Sequence, residues 1–165
     1  MNEYTAYIAI GSNMGDRKAN CLNGIDALVE LSEACLIGTS KLYKTEPLYV
    51  EDQQWFINAV FAIKTKRPPL ELFHIAKKVE KNFGRDYSVQ RYGPRVLDLD
   101  LLIVDDLIVQ TPQLMLPHPR LHERRFVLQP FVDIAPNLNH PVLNKSIQSL
   151  LFNLDDEQKK VYSYK

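Results

Sequence analysis

Trp55-Phe56-Ile57-Asn58-Ala59-Val60-Phe61-Ala62-Ile63-Lys64-Thr65 reads as a strong, largely apolar β-strand, rich in aromatic and β-branched residues. Upstream, Leu36 to Leu42 forms a second strand pattern. Before that, Leu22, Ile25 and Val29 recur at i, i+3 and i+7 and predict a helix. A first strand, Tyr4 to Ile10, ends at Gly11, and Gly11 to Asp16 reads as a turn holding several candidate N-caps. Downstream, Pro68-Pro69 opens a second helix where a missing N–H costs nothing. Its inward stripe is Leu72, Ala76, Val79 and Phe83, and Gly84 stops it. A polar, arginine-bearing loop over 85–95 leads into a long strand, Val96 to Val104. Asp105-Asp106 reads as a hairpin turn into Leu107 to Val109, and two short helical patterns fall near 124–132 and 145–153. The fold class is α+β, an α/β sandwich. It has a ferredoxin-like β-α-β-β-α-β sheet carrying both main helices on one face, with an added hairpin and short C-terminal helices.

The 165 residues fit one domain, 1–165, and 45% hydrophobic with 24% charged residues is globular composition. Formal net charge is zero, which disfavours wholesale binding to nucleic acid or anionic membrane. No apolar run reaches the ~18–20 residues that span a bilayer. The Met1-Asn2-Glu3-Tyr4 start lacks the basic segment and apolar core of a signal peptide. Cys21 and Cys35 are too few for a disulfide framework, so they read as free thiols, and the expected location is cytoplasmic. The polar stretch from Asp155 to Lys165 is expected to be poorly ordered. Six of the eight arginines fall between 85 and 125, which marks a region for handling anions.

Four segments carry candidate chemistry. In Val96-Leu97-Asp98-Leu99-Asp100-Leu101-Leu102-Ile103-Val104, Asp98 and Asp100 share a face. Leu102 and Val104 continue that face as apolar residues, so the carboxylates sit at the mouth of a packed strand. Two hard oxygens there suit Mg²⁺ shared with substrate phosphates, because adjacent like charges repel unless a cation offsets them. Plain solvated alternation is the blander alternative. Arg91-Tyr92-Gly93-Pro94-Arg95 turns Arg95 towards that strand, and Arg85 begins the same loop; acid beside arginine is the layout of phosphoryl transfer. His118, held between Pro117 and Pro119, suits a donor aimed at phosphate. The His118–His122 spacing is a poor zinc signal, because Pro119 opposes a regular helix through both. Phe56 and Asn58 share a face of the long strand; a buried amide there is either satisfied by a neighbouring loop, the commoner case, or reads the polar edge of a flat heterocycle while Phe56 stacks on it. Gly11 to Gly15 lacks the ending of a P-loop, and its glycines are read as turn residues.

These segments resemble one family. R-Y-G-P-R-V-L-D-L-D-L-L at Arg91 to Leu102 is similar to the signature of 6-hydroxymethyl-7,8-dihydropterin pyrophosphokinase. So are A-Y-I-A-I-G-S-N at Ala6 to Asn13, Y-K-T-E-P-L at Tyr43 to Leu48, F-I-N-A at Phe56 to Ala59 and L-P-H-P-R at Leu116 to Arg120, all in the right order. The resemblance implies transfer of a diphosphoryl group from MgATP to the pterin hydroxymethyl group, with release of AMP, in folate biosynthesis. It implies that Asp98 and Asp100 hold two Mg²⁺ ions and that Arg85 and Arg95 contact the phosphates, assisted by His118 and Arg124. Glu80, Tyr92 and Leu101 fall on the nucleotide side. Asn58 and the backbone of Thr45, Pro47 and Leu48 would read the pterin, and Phe56 and Phe126 would sandwich it. The loops at 44–54 and 85–95 would close over substrates, in a monomer or weak homodimer acting on small molecules.

Tyr87 stands where some members carry a second loop cation, Tyr92 replaces a tryptophan, and Phe56 replaces a tyrosine and its hydroxyl. No strong general base is evident near the acceptor, so a metal-coordinated hydroxyl losing its proton to a carboxylate or water is expected. The rivals are an RNA-binding module, which the third strand's lack of a Lys/Arg-Gly-Phe start opposes, and a metal-dependent phosphatase using the same aspartates. With one domain's worth of chain, no fused synthase or aldolase is expected within these residues.

Overall fold

A computed structural model of the chain describes residues 2–88, 91–155 and 159–165. Positions 89 and 90 of the arginine loop and 156–158 of the C-terminal stretch lie outside the described residues. The elements are β1 (Tyr4–Ser12), α1 (Arg17–Leu31), β2 (Cys35–Thr39), β3 (Tyr43–Thr45), β4 (Phe56–Thr65), α2 (Pro69–Asn82), β5 (Asp98–Val104), β6 (Val109–Gln110), β7 (Met115–Leu116), α3 (Arg125–Ile134), α4 (Ile147–Phe152) and β8 (Val161–Ser163). The sheet runs β5-β1-β4-β3-β8, with β2 also on β4, and every pairing is antiparallel. Reduced to β1, β2, β4 and β5, this is the ferredoxin-like order that the pattern of elements predicts.

Alternation along the strands divides the core in two. Ala6, Ile8 and Ile10 of β1, with Ile57, Ala59, Phe61 and Ile63 of β4, pack against α1 and α2. Tyr7, Ala9 and Val60 face the opposite layer, where Phe131 and Leu128 of α3 and Leu150 of α4 cover them. The two main helices therefore share one face as expected, and α3 with α4 supplies a third layer. α2 buries Leu72, Ala76 and Val79, and Gly84 follows it at φ +90, in the left-handed region that favours glycine.

Several local expectations are corrected. The inward stripe of α1 is Cys21, Gly24, Ile25 and Leu28, while Leu22 is exposed. Small Cys21 and Gly24 allow close approach to the sheet, so hydrophobicity alone misplaced the stripe: a Cβ on Gly24 would stand 2.9 Å from both Ile10 and Leu97 side-chain atoms. The expected strand 36–42 ends early: β2 stops at Thr39, and residues 40–42 link it to β3, which begins at Tyr43. The break falls at Ser40, whose N–H donates to the Val60 carbonyl while its Oγ accepts from the Val60 N–H. Leu102 shares the aspartate face but Val104 does not. A register shift between Tyr7 and Ile8 puts Leu102 and Ile103 both on the α3 side and returns Val104 to the α1–α2 side. Asp105-Asp106 does turn, but β6 pairs with β7 rather than back onto β5. Within the described part of the C-terminal stretch, Val161–Ser163 forms β8, which pairs with β3, contrary to the expectation of poor order there.

Candidate active site

The sheet register assembles a row of side chains at one end of the α3-side face. Asp98 on β5 lies opposite Gly11 on β1, and Gly11 lies opposite Asn58 on β4. One step along, Asp100 faces Ala9. Gly11 is a strand residue here, not a turn residue. A Cβ on it would come within 2.3 Å of Asn58 Oδ1, so its bareness makes room for the amide. Gly15, at φ +65, is the glycine the turn requires. Asn58 Nδ2 donates to Thr45 Oγ1 of β3, which orients the amide on a buried strand.

Asp98 accepts from Arg85 and Arg95, each through Nη1 at 2.9 Å, one guanidinium on each carboxylate oxygen. Burial pushes its pKa up, but Arg95, Arg85 and Lys77 outweigh burial and hold it below the usual carboxylate range. Asp100 makes no hydrogen bond or ion pair among the described residues. Burial, then the neighbouring Asp98 charge, raise it to about 7. This pair fits a divalent cation, since one carboxylate is held ionised and its neighbour lacks the positive partner that desolvation calls for. Among the described residues no group of three or more His, Cys, Asp or Glu converges. A cation held here would therefore draw its other ligands from water and phosphate.

The row forms the floor of a cavity of about 360 Å³. Arg95, Asp98, Asp100, His118 and Arg124 line its charged side; Thr45, Pro47, Leu48, Phe56, Asn58 and Phe126 line the other. Both candidate groups thus meet in one pocket. His118 donates its backbone N–H to Leu102, and its Nδ1 accepts from the Arg120 N–H. Burial, then the Arg124 charge, lower its pKa to about 4. The ring is therefore neutral near pH 7, with Nδ1 occupied as acceptor and the proton on Nε2. Arg124, whose Nε is buried with no hydrogen-bond partner among the described residues, lies over the Phe126 ring at 5.6 Å.

Glu80, Arg85 and Leu101 do not line this cavity, whereas Tyr92 does. Glu80 lines neither cavity: it is fully buried and accepts from Lys77 Nζ, the Leu99 N–H and the Tyr87 hydroxyl. Arg85 also stays outside the cavity lining and reaches the site through Asp98, its guanidinium over the Tyr87 ring. Tyr92 borders the first cavity, its ring 4.2 Å from Tyr49. Leu101 has a buried side chain and borders a second cavity of about 270 Å³ that shares Asp100, His118 and Pro119 with the first.

Two residues were missed. Asn13 is buried, and its Nδ2 donates to Gln53 Oε1 and the Gln54 carbonyl while its Oδ1 accepts from the Arg95 N–H. Gln53 in turn donates from Nε2 to the Tyr92 carbonyl. The end of β1 thereby ties the 46–54 loop to the arginine loop. Gly-Ser-Asn at 11–13 is visible in the sequence, but pattern alone does not say what an asparagine after a strand will bind.

An antiparallel ferredoxin-like sheet here carries a carboxylate–arginine cluster beside an aromatic–amide pocket, the charge layout that small-molecule phosphoryl-transfer domains use. Comparison with known proteins narrows that class. The chain belongs to the 7,8-dihydro-6-hydroxymethylpterin-pyrophosphokinase (HPPK) family, whose profile matches residues 7–136. It is 40% identical over 130 residues to the 2-amino-4-hydroxy-6-hydroxymethyldihydropteridine pyrophosphokinase of Bacillus subtilis, covering 79% of this chain and 77% of that one. The Haemophilus influenzae enzyme of the same name is 39% identical over 137 residues, covering 83% and 85%. Folic acid synthesis protein fol1 of Schizosaccharomyces pombe is 34% identical over 96% of this chain, which spans only 21% of that longer protein. The fold is shared with the Plasmodium falciparum HPPK-DHPS crystallised with pteroate: TM-score 0.73, 19% identity, 92% of this chain and 42% of that one. No helix among the described residues is long and apolar enough to cross a membrane.

Proposed function

We propose that this chain transfers the diphosphoryl group of MgATP to the hydroxymethyl group of 6-hydroxymethyl-7,8-dihydropterin, releasing AMP. The observation that carries this reading is one cavity lined by the Asp98–Asp100 pair with its arginines and by Phe56, Asn58 and Phe126. Family membership supports the same reaction.

The work falls to named groups. Asp98 and Asp100 would hold magnesium, two ions in our reading, and a bound divalent ion supplies charge screening at the phosphates. Arg85 and Arg95 each use one nitrogen on Asp98; a guanidinium has five N–H donors, so others remain for phosphate oxygens. Neutral His118 offers Nε2–H, and Arg124 adds a cation beside Phe126. Leu101 and the second cavity suit the base and sugar of the nucleotide, because that cavity shares Asp100, His118 and Pro119 with the first and so adjoins the place the phosphates would take. Phe56 and Phe126 stack on the pterin while Asn58, fixed by Thr45, reads its polar edge. Pinning both substrates is itself a large part of the acceleration, since effective molarity for aligned reactants reaches roughly 10⁵–10⁸ M. The proton of the acceptor hydroxyl goes to a carboxylate or to water.

Phosphorus NMR of the protein with MgATP and the pterin tests this. AMP and a diphosphorylated pterin are expected; ADP or inorganic phosphate as the product overturns it.

A further inference from the structure

The family profile ends at residue 136, yet the described chain continues and returns to the site. β8 pairs with β3 in the register Lys44↔Tyr162 and Thr45↔Val161, and the Tyr164 N–H donates to the Leu42 carbonyl. The pairing continues into the loop that walls the pterin side of the cavity. The Glu46 N–H donates to the Lys160 carbonyl at 3.0 Å, and the Lys160 N–H donates to Glu46 Oε2 at 3.1 Å. Lys159 Nζ meets Glu51 Oε1 at 2.6 Å in the middle of that loop. At its far end the Tyr162 ring lies parallel to Trp55, 4° between planes and 6.1 Å between centroids. One short strand thus touches the start, middle and end of a segment whose residues Thr45 to Tyr49 and Gln53 line the cavity.

We propose that the C-terminal strand is a positioning element for the acceptor substrate: Lys160 and Tyr162 hold the 46–54 loop in its cavity-lining conformation before the pterin arrives. The inference rests on the pyrophosphokinase reading and adds a role for residues outside the family match. Its physical basis is that a loop ordered beforehand does not charge its conformational entropy to binding. The backbone zipper and ring stack supply the restraint. The Lys159–Glu51 pair adds little, because Glu51 is 77% exposed. None of these residues contacts Asp98 or Asp100 directly, so the larger effect is expected on the pterin.

Trp55 is the chain's single tryptophan and reports directly on the stack. Tyr162→Ala, at an exposed ring, is the first variant, and Tyr162→Phe is the conservative control. In Tyr162→Ala, KM for the pterin is expected to rise three- to tenfold, about 0.7–1.4 kcal/mol, with KM for ATP within twofold and Trp55 emission altered. Tyr162→Phe restores all three. Lys160→Pro, which removes the N–H given to Glu46, should raise the pterin KM in the same way. Equal rises in both KM values, or no change in either while Trp55 emission shifts, overturn the proposal. Absence of diphosphoryl transfer by the unaltered protein would instead overturn the functional reading beneath it.

Discussion

At the scale of single residues the site depends on one missing side chain and two carboxylates. Gly11→Ala places a methyl 2.3 Å from Asn58 Oδ1, and the amide is braced by Thr45, so it must rotate away from its present orientation. We expect KM for the pterin to rise about tenfold or more, the order seen when a polar reading group is lost. KM for ATP should change little, and steady-state kinetics with each substrate varied in turn checks both. Asp98→Ala and Asp100→Ala should each lower kcat by about 10²–10³, the usual cost of removing one preorganised electrostatic group. Unimpaired magnesium-supported turnover in the double variant would remove the metal role altogether. The cysteines provide a control away from the chemistry. Burial pushes Cys21 up to about 12, which leaves on the order of 10⁻⁴ of it as thiolate at pH 8, whereas Cys35 is exposed. A thiol reagent at pH 8 should therefore modify one cysteine in the native protein and two after denaturation.

Between elements, Asn13 is the joint. It connects β1 to Gln53 in one loop and to Arg95 in the other, so both walls of the cavity share a buried support. Removing the amide in Asn13→Ala leaves the Arg95 N–H and the Gln54 carbonyl without their partner, at about 1–3 kcal/mol for a buried unsatisfied group. The expected result is faster limited proteolysis of both loops and a loss in kcat/KM for both substrates. That pattern separates it from the Tyr162 variants, whose effect is expected mainly on the pterin. The Tyr49–Tyr92 ring contact and Arg120 over Tyr49 would remain, so the loops should loosen without losing their fold.

For the whole molecule, the third layer is fastened to the sheet by Tyr43. Its hydroxyl donates to Asp133 of α3 at 2.8 and 3.0 Å, and the Lys41 N–H donates to the same carboxylate. Burial, then the bond to Asp133, raise the phenol pKa to about 12 from an ordinary 10. A raised folded-state pKa stabilises fully below the unfolded value, so this contribution is intact below pH 10 and is lost as pH climbs to 12. Tyr43→Phe should cost about 1.5–3 kcal/mol near neutrality, as expected for a hydrogen bond to a charged group. The gap between variant and parent should close across pH 10–12 in denaturant titrations; a gap unchanged at pH 12 would contradict the assignment.

Most of the fold and the charged half of the site were legible in the sequence, because their signals are local. Apolar spacing gave α2, β1 and β4, the Asp98-Leu99-Asp100 alternation put both carboxylates on one face, and proline and glycine marked the ends of α2. The misread parts depend on what lies opposite. Small Cys21 and Gly24 turned the buried face of α1, a register shift re-aimed Val104, and Gly11 matters only because Asn58 stands across from it. Asn13, the Glu80 network and the strand at 161–163 were silent for the same reason. A side chain's own chemistry and spacing are written in the chain, but the partner that satisfies it is chosen when distant segments are brought within hydrogen-bonding distance. For this protein the local code determined the sheet, its helices and the acidic pair; tertiary contact alone decided which loops those residues hold in place.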